Sequence, residues 1–241
     1  MDIHVTPPTE ETTEIVCILD RSGSMSHLTN KTIEGYNTFL TDQKAQPGKA
    51  NWTLCLFDGG NYGWKSDHKP YEIIHDAVEI NSIPELTKDT YIADGGTALF
   101  DALGKTITHV YEKVKNDPTV KVIFMIITDG EENESQEFKG PEGQKRIAEM
   151  VKERQDKDKW AFIFLGANID SFSASGGLGM SAGNTMNFSA SDAGMDFAYS
   201  NISKSTTMYR SFSKSDLIGN AVKMDDLISN NGEAKEDDLN K

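Results

Sequence analysis

Short apolar runs, each closed by polar residues, constrain the fold of this chain more than any other feature. Residues 15–19 are five apolar residues in a row followed by Asp20, and residues 120–129 hold a longer run that also ends in an acid. Continuous runs of this length are typical of strands that are covered on both faces, as in a parallel sheet. Residues 52–57 and 160–166 have the same character and predict two further buried strands.

Helical periodicity separates these runs. Apolar side chains recur at helical spacing between consecutive strands, most clearly at Leu99, Leu103 and Ile107. Strands that alternate with helices indicate βαβ units and a mainly parallel sheet. Residues 71–80 return after a glycine-rich turn with mixed polarity, which predicts an antiparallel edge strand. We therefore expect an α/β, Rossmann-like fold, with a mostly parallel central sheet and helices on both of its faces. The predicted helices cover residues 28–45, 98–114, 141–157 and 192–212, and a weak strand is predicted at 186–189.

A single domain accounts for most of the chain. We expect a flexible N-terminal lead-in over residues 1–13, one α/β domain over 14–212 and an acidic C-terminal tail over 213–241. The tail is either solvated, which we prefer, or forms a short amphipathic helix. The Gly/Ser-rich stretch at 173–185 predicts a flexible surface loop.

Charge and targeting signals narrow the classes of partner. The chain has 38 acidic and 24 basic residues and a net charge of −14, which repels nucleic-acid backbones and anionic membranes. We therefore expect no nucleic-acid or membrane partner. The N-terminus lacks the basic and apolar regions of a signal peptide, and no apolar run approaches the ~20 residues of a membrane span, so we expect a cytoplasmic protein. Cys17 and Cys55 lie in apolar runs and are predicted to be free, buried thiols.

Oxygen-bearing side chains follow the predicted strands at the edge where ligands of open α/β sheets bind. Asp20, Ser22 and Ser24 alternate, so an extended turn would direct them to one side, and Gly23 permits a tight bend between them. Two further loops contribute a hydroxyl and a carboxylate to the same edge. The complete set of candidate metal ligands is Asp20, Ser22, Ser24, Thr97 and Asp129.

This donor set indicates a hard divalent cation. It contains oxygen ligands only, which suit Mg²⁺, Mn²⁺ or Ca²⁺ and argue against zinc. We expect Mg²⁺ first, with Mn²⁺ and Ca²⁺ as the alternatives. Only Asp20 and Asp129 in the set carry charge, so a cation held there would keep the capacity to take one more anionic ligand.

The five positions resemble the metal-ion-dependent adhesion site of von Willebrand factor A (vWA) domains. The match consists of Asp20-x-Ser22-x-Ser24, Thr97 in Gly-Gly-Thr and Asp129 in Thr-Asp-Gly, in the order of the family. The resemblance implies that the hydroxyls contact the ion directly and the carboxylates directly or through water. It also implies that an Asp or Glu of a partner protein completes the coordination and that the domain has no catalytic activity. In size the chain resembles the stand-alone intracellular members found in bacteria and their viruses.

Three other interpretations of these loops stay open. Ser24, Ser26 and Thr97 are residue types that cap helices, and capping alone would account for each of them singly. A metal-dependent phosphoester hydrolase also places an Asp after its first strand, but such sites need a second carboxylate two residues on, where this chain has Ser22, and a nearby lysine. A purely structural metal site is the third.

Several smaller motifs have two readings. Glu131 and Glu132 are either a solvated turn or charges that tune the metal site, and Asp94 is either a turn residue or a support for the ligand loop. His27 is expected to cap a helix or lie at the surface. The aromatic turn with Tyr62 and Trp64 either anchors a partner or folds back on the sheet.

Two glycine motifs resemble enzyme loops in their spacing only. Gly179-x-Ser181-x-Gly183 has the spacing of a hydrolase nucleophile elbow, and Gly177-x-Gly179-x-x-Ala182 has that of a dinucleotide loop. Neither motif lies at a predicted strand-to-helix turn, and every histidine precedes Ser181.

Overall fold

The computed structural model describes residues 11–60, 69–167, 170–219 and 227–228 of the 241-residue chain. Six strands and six α-helices lie in this part of the sequence. The strands are β1 (Thr12–Asp20), β2 (Lys49–Phe57), β3 (Tyr71–Glu79), β4 (Lys121–Thr128), β5 (Ala161–Ala167) and β6 (Thr185–Phe188). The helices are α1 (Thr29–Lys44), α2 (Leu99–Val114), α3 (Gly140–Glu153), α4 (Ser171–Gly177), α5 (Asp192–Ser211) and α6 (Lys214–Ile218).

The strands form one sheet in the order β3-β2-β1-β4-β5-β6. Neighbouring strands are parallel except β2 and β3, which pair antiparallel at one edge. The predicted α/β fold, with a mostly parallel sheet and one antiparallel edge strand, is therefore confirmed. The chain builds the sheet from β1 towards β3 and then crosses through α2 to β4 on the other side of β1. The carboxyl ends of β1 and β4 consequently meet at the switch in strand order, the position at which open α/β sheets bind ligands.

Two apolar cores cover the faces of the sheet, and β1 contributes alternate residues to each. Ile15, Cys17 and Leu19 belong to the core that includes α1 and α5. Val16 and Ile18 belong to the core that includes α2 and α3. Because both faces are buried, residues 15–19 of β1 have no polar face, which explains why this run is apolar without interruption.

The Gly/Ser-rich stretch differs from its prediction. A flexible surface loop over 173–185 is wrong, because α4 occupies the start of this stretch and a 3₁₀ turn (Ala182–Asn184) leads into β6. The side chain of Asp170 caps α4 by accepting a hydrogen bond from the backbone N–H of Ser173 at 3.1 Å. Leu178 and Met180, which follow α4, are buried in the core beside α2 and α3. Tertiary burial therefore orders a segment whose local composition predicts a loop.

The chain ends also pack more closely than expected where they are described. β1 begins at Thr12, inside the predicted lead-in, and α6 lies inside the predicted tail. A solvated tail is wrong for Leu217 and Leu227, because both are fully buried in the core beside α1 and α5. Residues 1–10 of the lead-in, most of the tail, and the aromatic turn with Tyr62 and Trp64 lie outside the described residues.

The cysteines agree with a further expectation. Cys17 and Cys55 are free and buried, as predicted, and burial raises the pKa of the Cys55 thiol to about 12. None of the described helices combines the length and the apolar composition that crossing a bilayer requires.

A close approach between α1 and α5 makes Gly35 sensitive to substitution. A Cβ at Gly35 would lie 2.1 Å from Cδ2 of the buried Tyr199 ring. We expect Gly35→Ala to lower the free energy of unfolding by roughly 1–3 kcal/mol, as overpacking of a filled core does. Urea unfolding followed by circular dichroism measures this loss.

Gly176→Ala is the matched control for this substitution. Gly176 also lies in a helix, but a Cβ there would meet nothing within 4 Å. Replacing Gly176 by alanine should raise the free energy of unfolding by up to about 1 kcal/mol, because alanine is the better helix former. Equal effects of the two substitutions would contradict the close packing of α1 on α5.

Candidate metal centre

Asp20 forms the floor of the candidate site. It ends β1 and is fully buried. The backbone N–H of Ser22 donates to Asp20 Oδ1 at 2.6 Å, and Thr128 Oγ1 donates to Asp20 Oδ2 at 2.5 Å. The Tyr91 hydroxyl donates to the backbone carbonyl of Asp20 at 2.6 Å. These contacts fix the orientation of the carboxylate at the end of its strand.

The other four predicted residues meet above Asp20. Ser22 Oγ and Ser24 Oγ are 3.0 Å apart, and Ser24 Oγ donates to Asp129 Oδ1 at 2.6 Å. Thr97 reaches the same point, since a Cβ built on Gly130 would lie 2.8 Å from Thr97 Oγ1 and 3.5 Å from Ser24 Oγ. The structure therefore brings together all five residues that the sequence identifies. Their role as metal ligands stays a prediction.

Backbone hydrogen bonds tie the three loops to one another. The N–H of Gly23 donates to the carbonyl of Gly95 at 2.9 Å, and the N–H of Asp94 donates to the carbonyl of Arg21 at 2.9 Å. Asn133 fastens the third loop, because its side-chain Oδ1 accepts from the N–H of Thr97 at 2.9 Å and its own N–H donates to the Thr97 carbonyl at 3.0 Å. The loops thus hold the five side chains as one unit.

Glu132 braces the loop after β4 against the start of α2. Its Oε2 accepts from the backbone N–H of Phe100 at 2.9 Å and from Ser135 Oγ at 2.7 Å, and its Oε1 accepts from the Ser135 N–H at 2.8 Å. An acid at the N-terminus of a helix is favoured by the free N–H groups there. Neither interpretation of Glu132 made from the sequence anticipates this role. Its neighbour Glu131 is exposed.

Arg21 and Asp58 form a buried ion pair under the first ligand loop. Arg21 Nε lies 2.8 Å from Asp58 Oδ2, with side-chain exposures of 5% and 0%. Arg21 also donates to the carbonyl of Lys69 at 2.6 Å. The sequence contains a signal for this contact, since Asp58 follows β2 just as Asp20 ends β1, but Asp58 is not among the predicted site residues.

Burial shifts the pKa of both acids of the site. Burial raises the pKa of Asp20 to about 7, with the nearby Asp129 adding to the rise and hydrogen bonds from Thr128 and Ser22 opposing it. Burial likewise raises the pKa of Asp129, while its hydrogen bond from Ser24 and the nearby His27 oppose the shift. No lysine, arginine or histidine within the described ranges forms a salt bridge with either acid. Two such carboxylates favour a bound cation.

The chemistry of the donors fits a hard divalent ion. Across the described part of the chain, no three His, Cys, Asp or Glu side chains cluster as a metal site usually requires. The reason is that three of the five converging groups are the hydroxyls of Ser22, Ser24 and Thr97. Hydroxyl and carboxylate oxygens together are ligands that Mg²⁺ and Mn²⁺ accept.

Local contacts bear on several of the alternative interpretations of the loop residues. The N-caps of α1 and α2 are Leu28 and Ala98, and neither makes a side-chain capping bond, so Ser24 and Thr97 do not cap those helices. His27 is exposed, and its Nδ1 lies 2.7 Å from the Ser24 carbonyl oxygen. Asp94 stabilises its own turn by accepting from the Gly95 N–H at 2.8 Å.

Ser181 serves as a cap and does not lie in a nucleophile elbow. It precedes the turn Ala182–Asn184, and its Oγ accepts from the Gly183 N–H at 3.3 Å. The segment follows α4 rather than a strand, so the strand-to-helix geometry of a hydrolase elbow is not present at this position.

Solved structures of a vWA protein, a pilus adhesin and a TRAP protein have a similar fold. The vWA protein from Catenulispora acidiphila has 13% identity and a TM-score of 0.52, and the match covers 82% of this chain and 43% of that one. The pilus adhesin SpaC from Lactobacillus rhamnosus GG has 14% identity and a TM-score of 0.58, over 83% of this chain and 30% of that one. The manganese-loaded TRAP protein of Plasmodium vivax has 15% identity and a TM-score of 0.51, over 76% of this chain and 70% of that one.

These likenesses define the fold as a vWA-type α/β domain. The chain spans less than half the length of the Catenulispora protein and of the adhesin. No protein-family profile and no curated relative matches the sequence. Identity at this level shows the fold alone, so the function rests on the chain's own residues.

Proposed function

We propose that this protein is a divalent-metal-dependent binding module that captures an Asp or Glu side chain of a partner protein. The observation that carries the proposal is the convergence of five oxygen donors from three loops, two of them buried acids that form no salt bridge among the described residues. Asp20, Ser22, Ser24, Thr97 and Asp129 would hold the ion. Mg²⁺ is the first candidate, with Mn²⁺ and Ca²⁺ as alternatives.

The five residues differ in how deeply they are buried. Asp20 and Ser22 are buried and form the floor, whereas Ser24 is exposed and lies at the mouth of the site. The partner therefore approaches from the side of Ser24. When bound, the cation supplies a Lewis-acidic position that a partner carboxylate can occupy. Because three of the five donors are neutral, that position stays attractive to a further anion.

Two of the structural neighbours support this class of function. The TRAP structure is manganese-loaded, and SpaC is an adhesin. We extend the proposal to a cytoplasmic setting, because the buried thiols of Cys17 and Cys55 are unpaired. We further propose that the chain belongs among the vWA proteins of bacteria and their viruses.

The hydrolase alternative gains no support from the site. A nucleophilic Asp needs an oxygen that can reach a phosphorus atom. Asp20 is fully buried, and both of its carboxylate oxygens accept short hydrogen bonds, from Ser22 and Thr128. We therefore propose a binding role and no catalysis, and a phosphatase assay with Mg²⁺ or Mn²⁺ should show no activity that depends on Asp20.

Selection of displayed random peptides tests the capture of carboxylates. Peptides retained by the protein in Mg²⁺ and released by EDTA are expected to carry an Asp or Glu at a common position. When the selection is repeated with the Thr97→Ala variant, EDTA should release no peptides above background, because this substitution removes one of the converging hydroxyls.

Ser26→Ala is the control, since this exposed hydroxyl lies in the first ligand loop but takes no part in the site. It should select the same peptides as the unmodified protein. Peptides that bind equally well in EDTA, or that share no acidic residue, would contradict the proposal.

A further inference from the structure

A cavity of about 240 Å³ lies beside the candidate metal centre. The first turn of α2 forms one wall with Leu99 and Phe100, and the loop after β4 forms another with Gly130 and Glu131. The start of α4 closes it. The cavity is smaller than the roughly 300–1,000 Å³ of typical small-molecule sites, so its size suits a single side chain.

Gly130 is common to the cavity and the metal centre. It lines the cavity and follows Asp129 directly, and its Cα lies so close to Thr97 that an added Cβ would be 2.8 Å from Thr97 Oγ1. A ligand bound by the five converging residues would therefore extend past the mouth of the cavity. The two sites can contact neighbouring parts of one partner segment.

The lining of the cavity combines apolar and acidic groups. Phe100 and the half-buried Ala174 provide the accessible apolar surface, and Glu131 and Asp170 provide carboxylates. Glu131 is exposed and makes no hydrogen bond or ion pair with another residue in the described part of the chain. Asp170 caps α4 with Oδ1, which leaves Oδ2 available to a ligand. Glu132, also in the lining, is engaged with Phe100 and Ser135.

No lysine, arginine or histidine is among the residues that line the cavity in the structure as described. The acidic charge at its mouth is therefore uncompensated. A group that complements this surface has an aliphatic stem and a positive head, the combination that lysine and arginine side chains possess. An aromatic face such as that of Phe100 adds attraction for such a head.

We propose that the cavity receives a lysine or arginine side chain from the same partner segment that presents its carboxylate to the metal centre. The inference rests on the proposed function and narrows its partner to a segment with an acidic and a basic residue close together. The stem packs against Phe100 and Ala174, and the head pairs with Glu131 and Asp170. The cavity thus selects among carboxylate-bearing partners.

Binding of a single amino-acid analogue tests the cavity without any metal. In a magnesium-free NMR titration, N-acetyl-arginine methylamide is expected to shift the backbone amide signals of Leu99, Gly130 and Leu178 more than N-acetyl-norleucine methylamide does. The double variant Glu131→Gln/Asp170→Asn should weaken arginine binding about three- to tenfold, as the loss of two exposed ion pairs does. Asparagine caps a helix as well as aspartate, so α4 is preserved.

The double variant Glu85→Gln/Asp89→Asn is the charge-matched control, since both residues are exposed and neither lines the cavity. It should bind the arginine analogue like the unmodified protein. Equal shifts with the arginine and norleucine analogues, or equal weakening in the two double variants, would overturn the proposal.

The displayed peptides connect the cavity to the metal centre. Those released by EDTA should be enriched in Lys or Arg within a few positions of the shared acidic residue, and Glu131→Gln/Asp170→Asn should abolish the enrichment while retaining the acid. An acidic residue without this enrichment overturns the inference and leaves the proposed function standing. Peptides without a shared acid overturn the proposed function. In that case the analogue titration still tests whether the cavity binds a basic side chain.

Discussion

Asp20→Asn is expected to weaken the binding of Mn²⁺ by more than about 100-fold, the upper end of the loss seen when groups that merely support a metal ligand are removed. Asp20 is one of only two charged groups among the converging donors, and it lies at the floor of the site. Asparagine keeps the shape of the side chain and an oxygen that can accept from the Ser22 N–H. The loss should therefore come from the missing charge, and isothermal titration calorimetry measures it.

The metal-free protein should tolerate this substitution. Burial raises the pKa of Asp20 to about 7, so the ionised carboxylate is disfavoured in the folded protein. A neutral amide removes that cost at neutral pH, and the melting temperature without metal should stay the same or rise. With Mn²⁺ at 100 times its Kd, the unmodified protein should gain about 2.7 kcal/mol of stability and the variant almost none.

Ser26→Ala separates loss of a ligand from disturbance of the loop. Ser26 is an exposed hydroxyl two residues beyond Ser24, and its removal should leave the affinity for Mn²⁺ unchanged. If Asp20→Asn bound Mn²⁺ like the unmodified protein, Asp20 would have no part in a metal centre. A large fall in the metal-free melting temperature would instead show that Asp20 is needed for folding.

The fold was predictable from the sequence where the burial of a strand or helix leaves a clear pattern in the sequence of that same element. Residues 15–19 predict β1 because both faces of that strand are covered, which leaves an uninterrupted apolar run. The same reasoning does not reach α4, since its Gly/Ser-rich composition is a weak local signal. That helix is stabilised by Asp170 at its start and by burial of Leu178 and Met180 after its end.

The candidate site was predictable to the extent that its residues follow strand ends. Asp20 and Asp129 each lie at the carboxyl end of a buried strand, and parallel strands bring those ends to one edge. The position of Asp58 after β2 fits the same reasoning, but the contacts that support the site do not follow from it. Glu132 reaches the start of α2, and Arg21 pairs with Asp58 across 37 positions of sequence. No periodicity links such side chains, so only the folded chain shows their contacts.

Asp58→Ala is expected to lower the free energy of unfolding by about 3–5 kcal/mol, the usual cost of removing one partner from a buried ion pair. Arg21 would remain nearly buried, and the groups it would still contact include the Lys69 carbonyl at 2.6 Å and the half-exposed Glu72 carboxylate at 3.5 Å. Asp58 Oδ1 also accepts from the Gly60 N–H at 2.8 Å, and that bond would be lost as well. Urea unfolding measures the change.

Asp156→Ala makes the same chemical change in an exposed pair and serves as the control. Asp156 lies 3.1 Å from Lys152, with side-chain exposures of 62% and 74%. Water replaces the lost partner of an exposed lysine, so the loss there should stay below about 1 kcal/mol. A similar loss at both positions would mean that Arg21 finds other compensation. A large loss at Asp58 alone would show that this ion pair holds the chain directly after Asp20 in place, and with it the first loop of the candidate metal centre.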